Sequence, residues 1–345
     1  MALMSARKIL TLVLITGLMV LLVSAGSLLA VRQYLETPLT LPDEPVVVDI
    51  EPGRSLQQLV SELASDGYLR WPQAMALWAR WHGYDRRLRS GEYALTTGLT
   101  PRTLMDLLMS GRVVQYPVTL VEGWTVRQAL ESLWQRDNIT ATLVDQSDEA
   151  IHAALDTSLP ALEGSLFPDT YFYTKGTTDL AILRRASQRL EQVLAEEWQH
   201  RAVGLPYESP WQALTMASII ERESGYQAEK QDIAGVFVRR LQAGMRLQSD
   251  PTVIYGMGSR YDGVIYRSDL NTTTAYNTYR IHGLPPTPIA LAGRDSIHAS
   301  LQPREGTALY FVSRGDGSHQ FSDTLEEHNA AVQRYLRDGG DDNNN

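Results

Sequence analysis

The chain has 345 residues, 43% of them hydrophobic, a formal net charge of −9 and no cysteine. That length allows two modest domains, each with its own core. The acidic balance argues against a phosphate-neutralising nucleic-acid surface, and the missing cysteines exclude disulfides, thiolate metal sites and a cysteine nucleophile.

Arg7 and Lys8 precede an uncharged run over residues 9–31, and Arg32 follows it closely. As a helix rising about 1.5 Å per residue, the run covers a bilayer core of roughly 30 Å. The flanking charges put the N-terminus in the cytoplasm and the body outside. The small residues SAG at 24–26 allow a cleaved signal peptide instead. Signal cores run only about 7–15 residues, so an anchor is the preferred reading, and both readings export the body.

A Pro-rich linker leads to a predicted strand at 46–50. Ser55 caps a helix over 56–64 that carries Leu56, Leu59, Val60 and Leu63 at helical spacing. Pro72 opens a second helix to about 81, residues 91–95 return as a strand, and Thr100-Pro101 starts a helix ending near Gly111. A second region begins with a strand at 117–121 and a helix at 126–134 capped by Thr125. Residues 136–160 are polar and give no clear order. An aromatic strand near 167–173, a long helix at 179–199 and a helix at 211–223 follow. Residues 244–288 read as Gly/Pro/Tyr-rich loops. Strands at 308–313 and 319–321 flank a Gly315-Asp316-Gly317 turn, and a helix runs from 324 to 336. Calcium binding at that turn is the weaker reading, a hairpin the stronger. The expected class is α+β, without a doubly wound sheet.

The helix ending IIERES carries Glu221 and Glu223. At about 100° per residue, Leu214, Met216, Ile219 and Ile220 centre close to Glu223, with Glu221 and Arg222 toward the opposite side. An inward carboxyl is costly unless paired, and burial raises its pKa toward the range a general acid needs. A structural ion pair with Arg222, Arg239 or Arg240 is the competing reading. The stretches GMRLQSDPTVIYGMG (244–258) and AYNTYRIHGLPP (275–286) concentrate Tyr, Asn and Gln. Rings and amides of this kind suit a sugar, and long loops of this composition commonly line sites. Neither HExxH, nor a phosphate loop, nor a GxSxG elbow is present.

The segments TMASIIERES, VFVRRLQAGMRLQSDPTVIYGMG, AYNTYRIHGLPPTPIA and LYFVSRGDGSHQF, with VEGWT and FPDTY upstream, resemble the YceG-like family of endolytic murein transglycosylases. The resemblance implies a cytoplasmic N-terminus (1–8), a transmembrane helix (9–31), a linker (32–45), a LysM-like βααβ subdomain (46–115), a mixed α/β catalytic domain (116–338) and a disordered tail (339–345). It implies a single-pass inner-membrane lyase with a periplasmic body. Such an enzyme cuts between N-acetylmuramic acid and N-acetylglucosamine in nascent strands, leaves 1,6-anhydro ends, and needs neither metal nor organic cofactor. Contact with peptidoglycan synthases is also implied. The family's catalytic glutamate maps onto Glu223. Asp250 is the candidate second acid, expected to shape its loop or orient substrate. Gln248, Tyr276, Asn277 and Ser218 are the expected substrate-binding residues. A hydrolytic muramidase and a non-catalytic glycan-binding scaffold are the alternatives.

Overall fold

The computed structural model describes residues 6–337; residues 1–5 and 338–345, the latter including the expected disordered tail at 339–345, lie outside it. The chain forms two compact units, Met1–Tyr116 and Pro117–Asn345.

The first unit opens with one uninterrupted helix, α1 (Ala6–Glu36). It is long and apolar enough to cross a membrane, and none of its apolar window is buried. Its last turn is different, because Tyr34 and Leu35 enter the unit's core together with Leu39. Strand β1 (Val46–Ile50) is followed by α2 (Leu56–Ser65) and α3 (Pro72–Trp81). Then β2 (Gly91–Leu95) pairs antiparallel with β1, Val46 opposite Leu95 and Ile50 opposite Gly91. Ser55 and Gln58 form a reciprocal cap that fixes where α2 starts. Helix α4 (Pro101–Ser110) is capped in the same way by Thr100 and Thr103, and it ends at Gly111, whose φ of 70° favours glycine. Leu59, Leu63, Tyr93, Leu104 and Met105 fill the interior.

The second unit runs β3 (Tyr116–Thr119), α5 (Val126–Trp134), β4 (Ile139–Thr140), α6 (Asp148–Leu155), β5 (Thr170–Tyr173), β6 (Thr177–Thr178), α7 (Asp179–Gln199), α8 (Pro210–Glu223), α9 (Lys230–Gln242), α10 (Asp250–Met257), α11 (Arg267–Asn271), α12 (Arg294–Leu301), β7 (Tyr310–Ser313), β8 (His319–Ser322) and α13 (Leu325–Val332). Its strands form ribbons of two: β3 with β5, β4 with β6, and β7 with β8. The fold is therefore mixed α/β and helix-dominated.

Three stretches differ from the sequence expectations. Residues 136–160 contain α6, which Ser147 caps and which carries Asp148 and Glu149 where a helix dipole favours acids. The expected loop at 244–258 contains α10, opened by Asp250 and Pro251 in its first turn. The last helix stops at Val332, and Gln333–Arg337 widens into a π-turn.

Helix α8 is the axis of this unit. Every residue from 213 to 220 is buried, with α7, α9, α10 and α12 all in contact with it. A helix apolar all round belongs in a core, which is why its periodicity alone separates one face from another only weakly.

Candidate functional site

Helix α8 ends on Glu223, because Ser224 is extended, and the carboxyl points out of the core into a cleft of about 320 Å³. Ser249, immediately before α10, donates its Oγ hydrogen to Glu223 Oε1 at 2.5 Å. Oε2 has no protein hydrogen-bond partner among the described residues. Arg240 of α9, Asp250 of α10, Gln248, Tyr279, Phe311 and His328 also line the cleft. A second hollow of about 400 Å³, lined by Gly225, Ser313 and His319, shares Glu223 and Phe311 with the first. The carboxyl thus sits where the two meet.

Burial pushes Glu223 up to about 7; the Ser249 hydrogen bond and the Arg240 charge oppose that rise, while Asp250 reinforces it. Arg240 is held away from a direct ion pair. Its Nε donates to the Leu309 carbonyl at 2.6 Å, its Nη1 to the Leu247 carbonyl at 2.8 Å, and its guanidinium lies 5.1 Å from the Tyr310 ring centre. Arg222 and Arg239 are spent on the carbonyls of Gly123 and Ala308. The competing ion-pair reading of Glu223 therefore finds no partner among the described residues.

Glu221 is not on a solvated face. Its side chain is only 5% exposed and pairs with the equally buried Lys230 at 2.9 Å. Its second oxygen accepts the Gly293 N–H, also at 2.9 Å, at the start of α12. The helical-face estimate misses this because α9 and α12 close over the side of α8 that it assigns to solvent. Glu221 thus clamps the end of α8 to both neighbours, and that end carries Glu223.

The other expected site residues separate into two groups. Gln248 and Asp250 stand in the Glu223 cleft. Gln248 has a φ of 55°, unusual for a residue with a Cβ, and its amide oxygen faces Arg240 Nη1 at 3.5 Å. Asp250 accepts the Tyr279 hydroxyl at 2.6 Å. Ser218, Asn277 and Tyr276 stand apart from that cleft, and their polar atoms meet partners inside the protein. Ser218 is fully buried, donates to the Thr215 carbonyl and accepts the Ile289 N–H. Asn277 donates to the carbonyls of Asp269, Leu270 and Thr272 and accepts the Tyr279 N–H, which ties the loop together. Tyr276 packs edge-on against Tyr255 and exchanges a hydrogen bond with Thr287.

Ser249, Tyr279, Phe311 and His319 stand around Glu223 without being singled out by the sequence reading, which names Arg240 only as an ion-pair candidate. Ser249 lies directly between Gln248 and Asp250, so its neighbours carried a signal; Phe311 and His319 come from a distant hairpin that sequence spacing could not connect to α8. In that hairpin Asp316 accepts both the N–H and the hydroxyl of Ser318, and it is a turn. No group of three or more His, Asp or Glu residues stands ready for a metal among the described residues.

Burial also pushes Glu163 up to about 7. It borders a separate hollow of about 680 Å³ with Arg127, Arg222, Tyr255 and Tyr261. Its oxygens are already committed to the N–H groups of Val126 and Gly164 and to the Tyr255 hydroxyl. That makes it a fixed cap for α5, whereas Glu223 keeps an oxygen free.

Comparison with known proteins gives consistent matches. The model of the YceG-like family matches residues 48–334. A Bacillus subtilis protein named endolytic murein transglycosylase is 30% identical over 337 residues, covering 91% of each chain. A Streptococcus pneumoniae protein of the same name is 26% identical over 91% of this chain, which spans 63% of that longer protein. The crystal structure of a YceG-like protein from Listeria monocytogenes superposes with a TM-score of 0.52 at 27% identity, covering 84% of this chain and all of the other.

Proposed function

The chain belongs to the YceG-like family, and on that premise we propose that Glu223 is the acid and base of an endolytic peptidoglycan lytic transglycosylase. The enzyme is a lyase acting on murein. The observation that carries the assignment is a half-buried carboxyl with one oxygen gripped by Ser249 and the other facing an open cleft.

Held near 7, Glu223 is protonated in a useful fraction of molecules at neutral pH. Oε2 gives its proton to the glycosidic oxygen as the bond to the muramic acid C1 breaks. The carboxylate so formed then takes the proton of the muramyl 6-hydroxyl, whose oxygen closes onto C1. No water enters, and Glu223 ends the cycle protonated again. Ser249 steadies the transient carboxylate, since a hydrogen bond to a charged acceptor is a strong one. The buried Arg240 guanidinium supplies positive potential without neutralising the acid outright.

Gln248 and Asp250 are assigned to substrate orientation. Most glycosidases pair two carboxyls. Asp250 shares the cleft with Glu223, so a hydrolytic outcome is the second reading, although the Tyr279 hydroxyl already occupies Asp250. In the first unit, the β1-α2-α3-β2 order and a groove carrying Asp49, Gln57 and Gln58 support a LysM-like, glycan-holding role. We place the first unit and the body outside the cytoplasm, anchored by α1, with cell-wall synthases as further partners.

The test is Glu223→Gln in the full chain, with cleavage of isolated glycan strands followed beside their binding. Cleavage should vanish and binding should persist. Cleavage at an undiminished rate would transfer the chemistry to another residue, with Asp250 the first to examine. A cellular role that survives the substitution would favour the scaffold reading.

A further inference from the structure

The junction between α1 and the first unit is unusually short. The uncharged run ends at Val31, and Tyr34 and Leu35 are already core residues of the unit. Three residues of helix span about 4.5 Å. The unit therefore begins where the apolar helix stops, with no flexible linker between them. The Tyr34 ring sits 5.5 Å from that of Trp71, and its hydroxyl donates to the Arg70 carbonyl at 2.6 Å. These contacts fix the start of α3 at the level of the last turn of α1.

Helix α3 is amphipathic in an unexpected sense. Met75, Trp78 and Ala79 face the core. On the other side Leu77 and Trp81, one helical turn apart, are 68% and 83% exposed, and Trp71 just before the helix is 64% exposed. Trp71 also holds a φ of 52°, unusual for a residue with a Cβ, and its side chain makes no capping hydrogen bond to the helix. Around these rings the chain is basic: residues 70–89 contain five arginines and one acid, Asp85, in a protein of net charge −9. Arg70, Arg80, Arg86 and Arg87 are exposed and have no acidic partner within ion-pair distance among the described residues.

We propose that this side of the first unit rests on the bilayer that α1 enters, with Trp71, Leu77 and Trp81 in the interfacial layer and the surrounding arginines on anionic lipid headgroups. The proposal rests on α1 being a membrane anchor. Tryptophan settles at the water–lipid boundary because its ring is apolar and its N–H polar. An amphipathic helix with basic flanks lies in the plane of that boundary. The consequence is a first unit pinned by two contacts, so that its orientation to the membrane is set and α1 does not serve as a loose tether.

The test uses the full chain in lipid nanodiscs of phosphatidylcholine and phosphatidylglycerol. Because the chain lacks cysteine, a nitroxide can be placed at one site at a time. Leu77→Cys and Gln73→Cys report on α3, Leu18→Cys on the middle of α1, and Gln57→Cys on an exposed face of α2. Collision with oxygen and with a water-soluble nickel chelate gives depth. The α3 labels should be several-fold less accessible to nickel than Gln57→Cys, and Arg80→Glu with Arg87→Glu should reverse much of that protection. A deep Leu18→Cys label with α3 labels as wet as Gln57→Cys would overturn the proposal and leave the anchor standing. A wet Leu18→Cys label would remove the anchor and the proposal together. Protection equal in pure phosphatidylcholine discs would overturn the anionic-lipid part.

Discussion

Replacing Ser249 by alanine isolates the contact that most directly tunes Glu223. The Ser249 hydroxyl donates to Oε1 at 2.5 Å and is the largest influence opposing the burial that lifts this carboxyl to about 7. It favours the charged form, so its removal must move the pKa further up. A hydrogen bond to a charged group contributes about 1.5–3 kcal/mol, and one pKa unit corresponds to about 1.4 kcal/mol. The shift should therefore be roughly one to two units. Because Glu223 must start the cycle protonated, activity falls as pH rises through its pKa. In Ser249→Ala the alkaline limb of kcat/KM should lie about one to two units higher than in the parent. The maximal rate should drop, because Oε1 is no longer held and the transient carboxylate loses its donor. The assay is the pH dependence of strand cleavage by both proteins. An alkaline limb that stays in place or moves down would refute the role given to Ser249.

Stability should report the same carboxyl. Its folded pKa of about 7 lies above its ordinary value of 4.5, so the stability contributed by the neutral form is full below about 4.5 and lost as pH rises through about 7. Glu223→Gln should thus match the parent near pH 4 and exceed it near pH 8 by up to about 3 kcal/mol, read from denaturant titrations at both values. Glu221→Gln leaves Lys230 as a buried charge without its partner, and chemical unfolding should show a loss of about 3–5 kcal/mol. Glu221→Leu combined with Lys230→Met should recover most of it. A body starting at Thr37 lacks Tyr34 and Leu35 and with them part of the first unit's core. Thermal melting should place that unit about 3–6 kcal/mol below one starting at Ser27, at roughly 1.5–3 kcal/mol for each large apolar side chain.

The helix around Glu223 is legible because it depends on residues within one segment, whereas periodicity sets Glu223 apart from Glu221 only weakly, α8 being buried on every side. Glu221 was not legible, since its partners arrive from nine and seventy-two residues downstream and cover a face that would otherwise be wet. At Ser218 and Asn277 composition does not discriminate, for a related reason. Hydroxyls and amides suit a sugar, but they suit a backbone carbonyl equally, and only the fold reveals which they meet. Helix α10 is hidden in the sequence because Asp-Pro favours both a turn and a helix start; the six residues that follow, packed against α8, select the helix. Ser249 carries no signal of its own in the sequence, because its partner Glu223 lies twenty-six residues upstream on another helix.

The most direct measurement of the central claim is the mass of the glycan ends released by the full chain, beside Glu223→Gln. The account predicts muramyl ends one water lighter than hydrolysis products, formed by the parent and absent with the variant. Ends at the full hydrolytic mass would contradict it.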